Sequence, residues 1–218
     1  MLHRYLLAPL VLASAPLCAV TFTSLPGAPD PGVPSGQRLI ADFDSAMAPG
    51  VVNSRRGTVI TGPGSIGGVR ATPAGGTGGY QSVGAGSSSR FDLAGWTGGR
   101  ALRSFSLYWG SIDGYNHIDF LNAQGGLVAS VSGQQVASRN FGSWNATAAN
   151  RRVDFAFTPQ QQVQSVVLRS TAPAFEFDTL AAAAVPEPEN WALLIGGLGL
   201  VGLVVRMRRP RRMARTVY

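Results

Sequence analysis

Residues 102–109 read "LRSFSLYW", and large apolar side chains fall on every second position. Phe105, Leu107 and Trp109 share one side, while Ser104, Ser106 and Tyr108 share the other. That period of two is the signature of a strand with one face in a core. The scheme recurs on both sides of this run. In "RRVDFAF" (151–157), Val153, Phe155 and Phe157 oppose Arg152, Asp154 and Ala156. In "APAFEFDTL" (172–180), Phe175 and Phe177 oppose Glu176 and Asp178, and in "RLIADFD" (38–44) Leu39, Ala41 and Phe43 oppose Asp42 and Asp44. Gly-Gly, Pro-Gly, Asp-Gly and Gly-Ser pairs separate such runs, and no 3.6-residue period is sustained between them. The pattern predicts an all-β domain over residues 38–180, a β-sandwich or jelly roll. The glycine- and serine-rich segment 61–89 is expected to hold one or two weak strands and long loops.

Charge is distributed unevenly. The chain of 218 residues carries a formal +7, but residues 20–184 hold eleven arginines against nine carboxylates, which leaves only +2. The basicity belongs to the ends, so no basic stripe marks the middle and nucleic acid is excluded as a partner. Residues 1–19 have Arg4, an apolar run from Tyr5 to Leu12 and small residues after it, the layout of a secretory signal peptide. Cys18, the one cysteine, falls inside that segment, and Leu17 before it is too large for a lipidation site. A mature chain without cysteine forms no disulfide and relies on packing. Pro26, Pro29, Pro31 and Pro34 make residues 20–37 read as an extended linker, and the alanines of 181–185 read as a second one.

After that second linker comes "AVPEPENWALLIGGLGLVGLVVRMRRPRR" (184–212). Trp191 to Val205 supplies fifteen apolar or glycine residues, a helix of about 23 Å against a hydrocarbon core of about 30 Å. Arg206, Arg208, Arg209, Arg211 and Arg212 follow and would hold that end in the cytoplasm, with the β domain outside. Pro186 and Pro188 keep the backbone ahead of the helix extended and open to a protease groove, and Glu187 resists entry into lipid.

Pro186-Glu187-Pro188, then Trp191-Ala192, the glycine-dotted apolar span and the arginine cluster resemble the PEP-CTERM sorting signal in its Trp-Ala form. The resemblance covers residues 186–212 and departs from the family pattern at Pro210 and in the "MARTVY" extension. It implies recognition by an exosortase, a membrane-embedded cysteine transpeptidase of Gram-negative bacteria. Such processing removes the span and passes the protein from the inner membrane to the cell surface, often alongside exopolysaccharide. "LYWGSIDGYNHIDF" and "AFEFDTL" are similar to recurrent segments of exosortase-dependent surface proteins, which implies a β-sandwich and no particular activity. A permanently anchored single-span protein is the alternative in which the tail is retained.

The middle of the chain offers little catalytic chemistry. His117 is its lone histidine, Gly-x-Ser-x-Gly is absent, and no pair of acids is placed around a cleft by spacing alone, so a non-catalytic role is expected. Two binding sites are expected instead. If an early strand lies beside the last one, Asp42, Asp44, Glu176 and Asp178 meet at one edge as oxygen ligands for a structural calcium ion. The loop "GSIDGYN" brings Asp113 and Asn116 near Trp109 and Tyr115, with Trp96 and Trp144 as further rings, an arrangement suited to carbohydrate.

Overall fold

A computed structural model describes residues 20–137 and 142–207; within the last helix it describes the side chains of 194–201, 203 and 206. The expected signal peptide, Arg208, Arg209, Arg211 and Arg212, and the side chains of Pro188, Trp191 and Ala192 lie outside the described residues. In chain order the strands are β1 (Thr21–Pro26), β2 (Arg38–Ala41), β3 (Val52–Arg56), β4 (Val59–Gly62), β5 (Tyr80–Val83) and β6 (Ser87–Asp92). They continue with β7 (Leu102–Gly110), β8 (Asn116–Leu121), β9 (Leu127–Ser132), β10 (Arg151–Ala156), β11 (Ser165–Ser170) and β12 (Phe175–Ala184). The helices are α1 (Ala94–Thr97), α2 (Gly133–Val136) and α3 (Pro188–Met207).

The strands form two antiparallel sheets. One has the order β1-β10-β7-β12-β5-β4, with β2 paired to the free half of β12; the other has the order β3-β6-β11-β8-β9. The expected alternation holds where one face meets the opposite sheet. Phe105, Leu107 and Trp109 of β7, Val153 and Phe155 of β10, and Phe175 and Phe177 of β12 are fully buried. They pack with Phe91 of β6, Ile118 and Phe120 of β8, and Val166 and Leu168 of β11 in one core. Phe120 joins the layers, with its ring centroid 6.3 Å from Phe105, 4.9 Å from Phe155 and 4.9 Å from Phe157. Each such ring contributes about 1.5–3 kcal/mol by leaving water.

Two boundaries and one strand face differ from expectation. Residues 20–37 are not a free linker. β1 pairs along its whole length with β10 at the sheet edge and ends at Pro26, which lacks an N–H to continue the ladder. The next eleven residues strap the outer face of this sheet. The Tyr108 hydroxyl lies 2.8 Å from Gly27 O and 2.6 Å from Ala74 O, and Gln37 Nε2 donates to Asp154 at 2.6 Å and Ser104 at 3.0 Å. Beneath the strap Arg152, 3% exposed, donates to Asp30 (3.2 Å), Ser106 (2.8 Å) and the Thr179 carbonyl (2.7 Å). Residues 181–184 are likewise strand, paired with β7, and Ala181 and Ala182 are wholly buried between β7 and β2, a placement that alanine's weak β-propensity does not announce. In β2 the inward residue is Ile40 (1% exposed), while Leu39 is 44% exposed. The register of β12 shifts between Leu180 and Ala181, and Phe43 adopts φ 60°, which turns its ring onto Phe91 and Phe177.

Residues from Val185 onward form a separate unit. Pro186 and Glu187 are exposed ahead of α3. The helix contains the predicted 191–205 run, and Leu194, Ile195, Leu198, Leu200, Val201 and Leu203 are all more than half exposed on it. Among the described residues no helix is long and apolar enough to cross a membrane.

Candidate functional site

A cleft of about 500 Å³ opens at one end of the sandwich. Four segments line it: the turn 65–71, the connection between β7 and β8 with Ser111, Asp113 and Tyr115, residues 142 and 144, and the entry to β12 with Glu176. Ile66 and Arg70 form an isolated bridge that folds the first segment back on itself. Ser111 takes φ 38°, which bends the chain out of β7 towards the cleft. Asn150, wholly buried, ties two of these segments to Ala74, just beyond the first. Its Oδ1 accepts from Ala74 N–H (3.0 Å) and Ser111 N–H (3.2 Å), and its Nδ2 donates to the carbonyls of Trp144 (3.0 Å) and Ala146 (2.9 Å). All four polar partners of one amide are thereby engaged, which fixes the loops without a disulfide.

Two carboxylates face the cleft. Glu176 is 3% exposed; its Oε1 accepts from Ala71 N–H at 3.0 Å and its Oε2 from the Ser111 hydroxyl at 2.7 Å. Burial pushes the Glu176 carboxyl above its ordinary range; the two hydrogen bonds draw it partly back and the charge of Asp113 adds to the rise. The Asp113 carboxyl is also raised by burial, against the lowering effect of the Tyr115 hydroxyl, which lies 2.6 Å from Asp113 Oδ2 and 2.7 Å from Pro173 O. Burial and the Asp113 charge in turn raise the Tyr115 phenol well above the usual tyrosine range. Arg70 is the one cation lining the cleft among the described residues; two of its N–H groups are engaged and its buried Nε has no partner. It donates to Gly62 O (3.3 Å) and Pro63 O (2.9 Å) and sits 5.4 Å from the Tyr80 ring centroid. Trp144 stands at the rim, 57% exposed.

The structure therefore brings together Asp113, Tyr115 and Trp144 of the predicted carbohydrate surface and removes the others. Trp109 is buried and stacks on Phe175 at 4.6 Å. Asn116 is buried, accepting from the Ser170 hydroxyl at 2.7 Å and donating to Ala174 O at 3.2 Å. Trp96 packs partly against the core. His117 lies away from the cleft on the second sheet, where burial lowers its pKa and the neighbouring Arg169 adds to that.

The expected calcium set does not assemble, although β2 does pair with β12. Asp42 closes its own turn, accepting from Asp44 N–H and from the N–H and hydroxyl of Ser45. Burial is the largest single influence on its carboxyl and pushes it up, but these bonds together outweigh it and leave the pKa lowered. Asp44 accepts from Gly79 N–H at 2.6 Å, Asp178 from Thr179 N–H at 2.6 Å, and Glu176 faces the cleft. Among the described residues no three acidic, histidine or cysteine side chains form a set able to hold a metal ion. Glu176 was thus legible as a functional acid but not as a partner of Asp113. Asn150 gave no signal, because its partners Ser111 and Ala74 are far away in sequence.

No protein-family model matches the chain. No curated protein matches it. Among solved structures it is similar to the enzymatically active domain of tailspike protein 4 of bacteriophage CBA120, at 16% identity and a TM-score of 0.31, covering 71% of this chain and 21% of that one. The chain thus spans about a fifth of the tailspike chain. It is also similar to the family 11 carbohydrate-binding module of the cellulosomal cellulase Lic26A-Cel5E of Clostridium thermocellum, at 11% identity and a TM-score of 0.26, covering 71% of this chain and 98% of that one.

Proposed function

We propose that this chain is an exported, non-catalytic surface protein whose C-terminal segment 186–212 is a sorting signal processed by an exosortase. One observation carries the reading: α3 follows the last strand of the sandwich, and its described large apolar side chains, Leu194 to Leu203, are open to the surroundings. Water alone does not cover such a surface, and lipid does. With Trp191–Leu193 and Val204–Val205 included, the sequence supplies an apolar run of about 23 Å, which a bilayer meets by local thinning. Pro186 and Glu187 are exposed, which supports their access to a transpeptidase. The signal peptide, inner-membrane transit and final surface location belong to the same proposal. Intact-mass measurement of the protein recovered from its host tests it. Loss of everything beyond about residue 190 supports processing, and a retained arginine tail identifies instead a permanently anchored single-span protein.

The cleft favours a second element, carbohydrate binding within an exopolysaccharide or biofilm matrix. The specific observation is the exposed Trp144 ring with Tyr115, the buried Glu176 and the half-buried Asp113 lining one cavity, whose volume falls in the range of small-ligand sites. Aromatic faces cover sugar rings, and the polar groups orient them. Titration with host polysaccharide, followed by tryptophan fluorescence, tests this element; a flat response removes it.

A further inference from the structure

The polar groups of the cleft are unequally matched. Most of its donors are spent: the Ser111 hydroxyl on Glu176, the Tyr115 hydroxyl on Asp113 or Pro173 O, and two N–H groups of Arg70 on Gly62 O and Pro63 O, which leaves the buried Arg70 Nε without a partner. Its acceptors are not. Each carboxylate carries about four lone-pair sites; two donors reach Glu176 and one reaches Asp113. A ligand rich in donors fits this lining, and one carrying a carboxylate or sulfate would be repelled by it. An ammonium group supplies three donors, no acceptor and the opposite charge, so its bonds to carboxylate are the strong, charge-assisted kind.

Resting on the carbohydrate reading of the cleft, we infer that it selects an amino sugar with a free amine, whose ammonium group is seated by Asp113 and Glu176 while a sugar face lies on Trp144. The raised pKa values agree with this geometry, because a bound cation offsets the cost of burial that raises both acids and the Asp113 charge that adds to the rise at Glu176. N-acetylation abolishes both the charge and two of the donors, so the cleft distinguishes a de-N-acetylated glycan from its parent. The side chains bonded to these acids are Ser111 and Tyr115, the Tyr80 phenol feels the charge of Glu176, and Arg70, the cation in the lining, forms no ion pair with either acid among the described residues.

Binding of glucosamine oligomers, N-acetylglucosamine oligomers, cello-oligosaccharides and a lysine-rich peptide to the full chain tests the inference. Calorimetry is run in weakly acidic buffer, with a detergent that lacks a sugar headgroup. Glucosamine oligomers are expected to bind at least tenfold more tightly than the other three, with affinity falling as salt is added. Glu176→Gln and Asp113→Asn are each expected to lose at least tenfold; the second variant keeps an oxygen for Tyr115 and serves if the first, at a buried position, impairs folding. Equal binding of the charged and neutral oligosaccharides overturns the ammonium inference while leaving a sugar site. Equal or tighter binding of the peptide overturns the sugar specificity. No binding of any saccharide overturns the carbohydrate reading itself and this inference with it.

Discussion

Replacing Asp178 by asparagine should stabilise the protein at neutral pH and leave it unchanged in acid. Asp178 sits on the outer face of the first sheet with its carboxyl raised from 3.8 to about 6, chiefly by burial and then by the charges of Asp44, Asp30 and Asp42. Arg152 also feels its charge, but that guanidinium is held by Asp30, Ser106 and the Thr179 carbonyl. A rise of that size means that ionising Asp178 in the folded state costs at most about 3 kcal/mol. Screening by water at this partly accessible site reduces it to about 1–2 kcal/mol. Because the folded pKa lies above the unfolded one, the folded state holds the proton more tightly. Stability is therefore full below about pH 4 and declines as pH rises through about 6. Asparagine keeps the oxygen that accepts from Thr179 N–H at 2.6 Å, which supports Thr179 at φ 49°. Urea unfolding of the full chain in detergent, followed by tryptophan fluorescence across this pH range, measures the difference. The variant should gain about 1–2 kcal/mol at pH 7 and nothing near pH 4. A gap that does not change with pH, or a less stable variant at neutral pH, refutes the reasoning.

Arg152→Ala should cost about 3–5 kcal/mol, since it removes the buried cation paired with Asp30 and the donor to the Thr179 carbonyl; a thermal melt shows it as a large fall in Tm. Gly95→Ala should destabilise by about 1–3 kcal/mol, because its Cβ would lie 2.7 Å from Gly50 O and both partners are backbone. Trp144→Ala should leave stability within about 0.5 kcal/mol in the same melt, because the ring is 57% exposed, while abolishing any glycan-dependent change in fluorescence.

The inward face of the first sheet was legible in the sequence because large apolar residues recur on it with a period of two. β7, β10 and β12 obey it, and their inward rings are the ones the pattern names. Shorter and more irregular strands were not legible. β2 has four residues, a bulged partner and a left-handed Phe43, so its apparent alternation put Leu39 rather than Ile40 inside. β1 hides among prolines because an edge strand tolerates them. Of the site, Asp113 and Tyr115 were readable from a polar loop between strong strands. The alternation already placed Trp109 with Phe105 and Leu107, in the core, where it cannot also meet a ligand. Glu176 belonged to the site for a reason sequence does not carry: Ala71 and Ser111, which hold it, come from different loops.

The position of β12 has a mechanical consequence. It is the last strand of the sandwich yet not an edge strand, flanked along one side by β7 and along the other by β5 and β2. A load applied at residue 185 along the strand axis therefore acts in shear on both flanking ladders at once, rather than peeling a peripheral ribbon one rung at a time. A chain tethered through its carboxyl end would meet tension at its strongest grip.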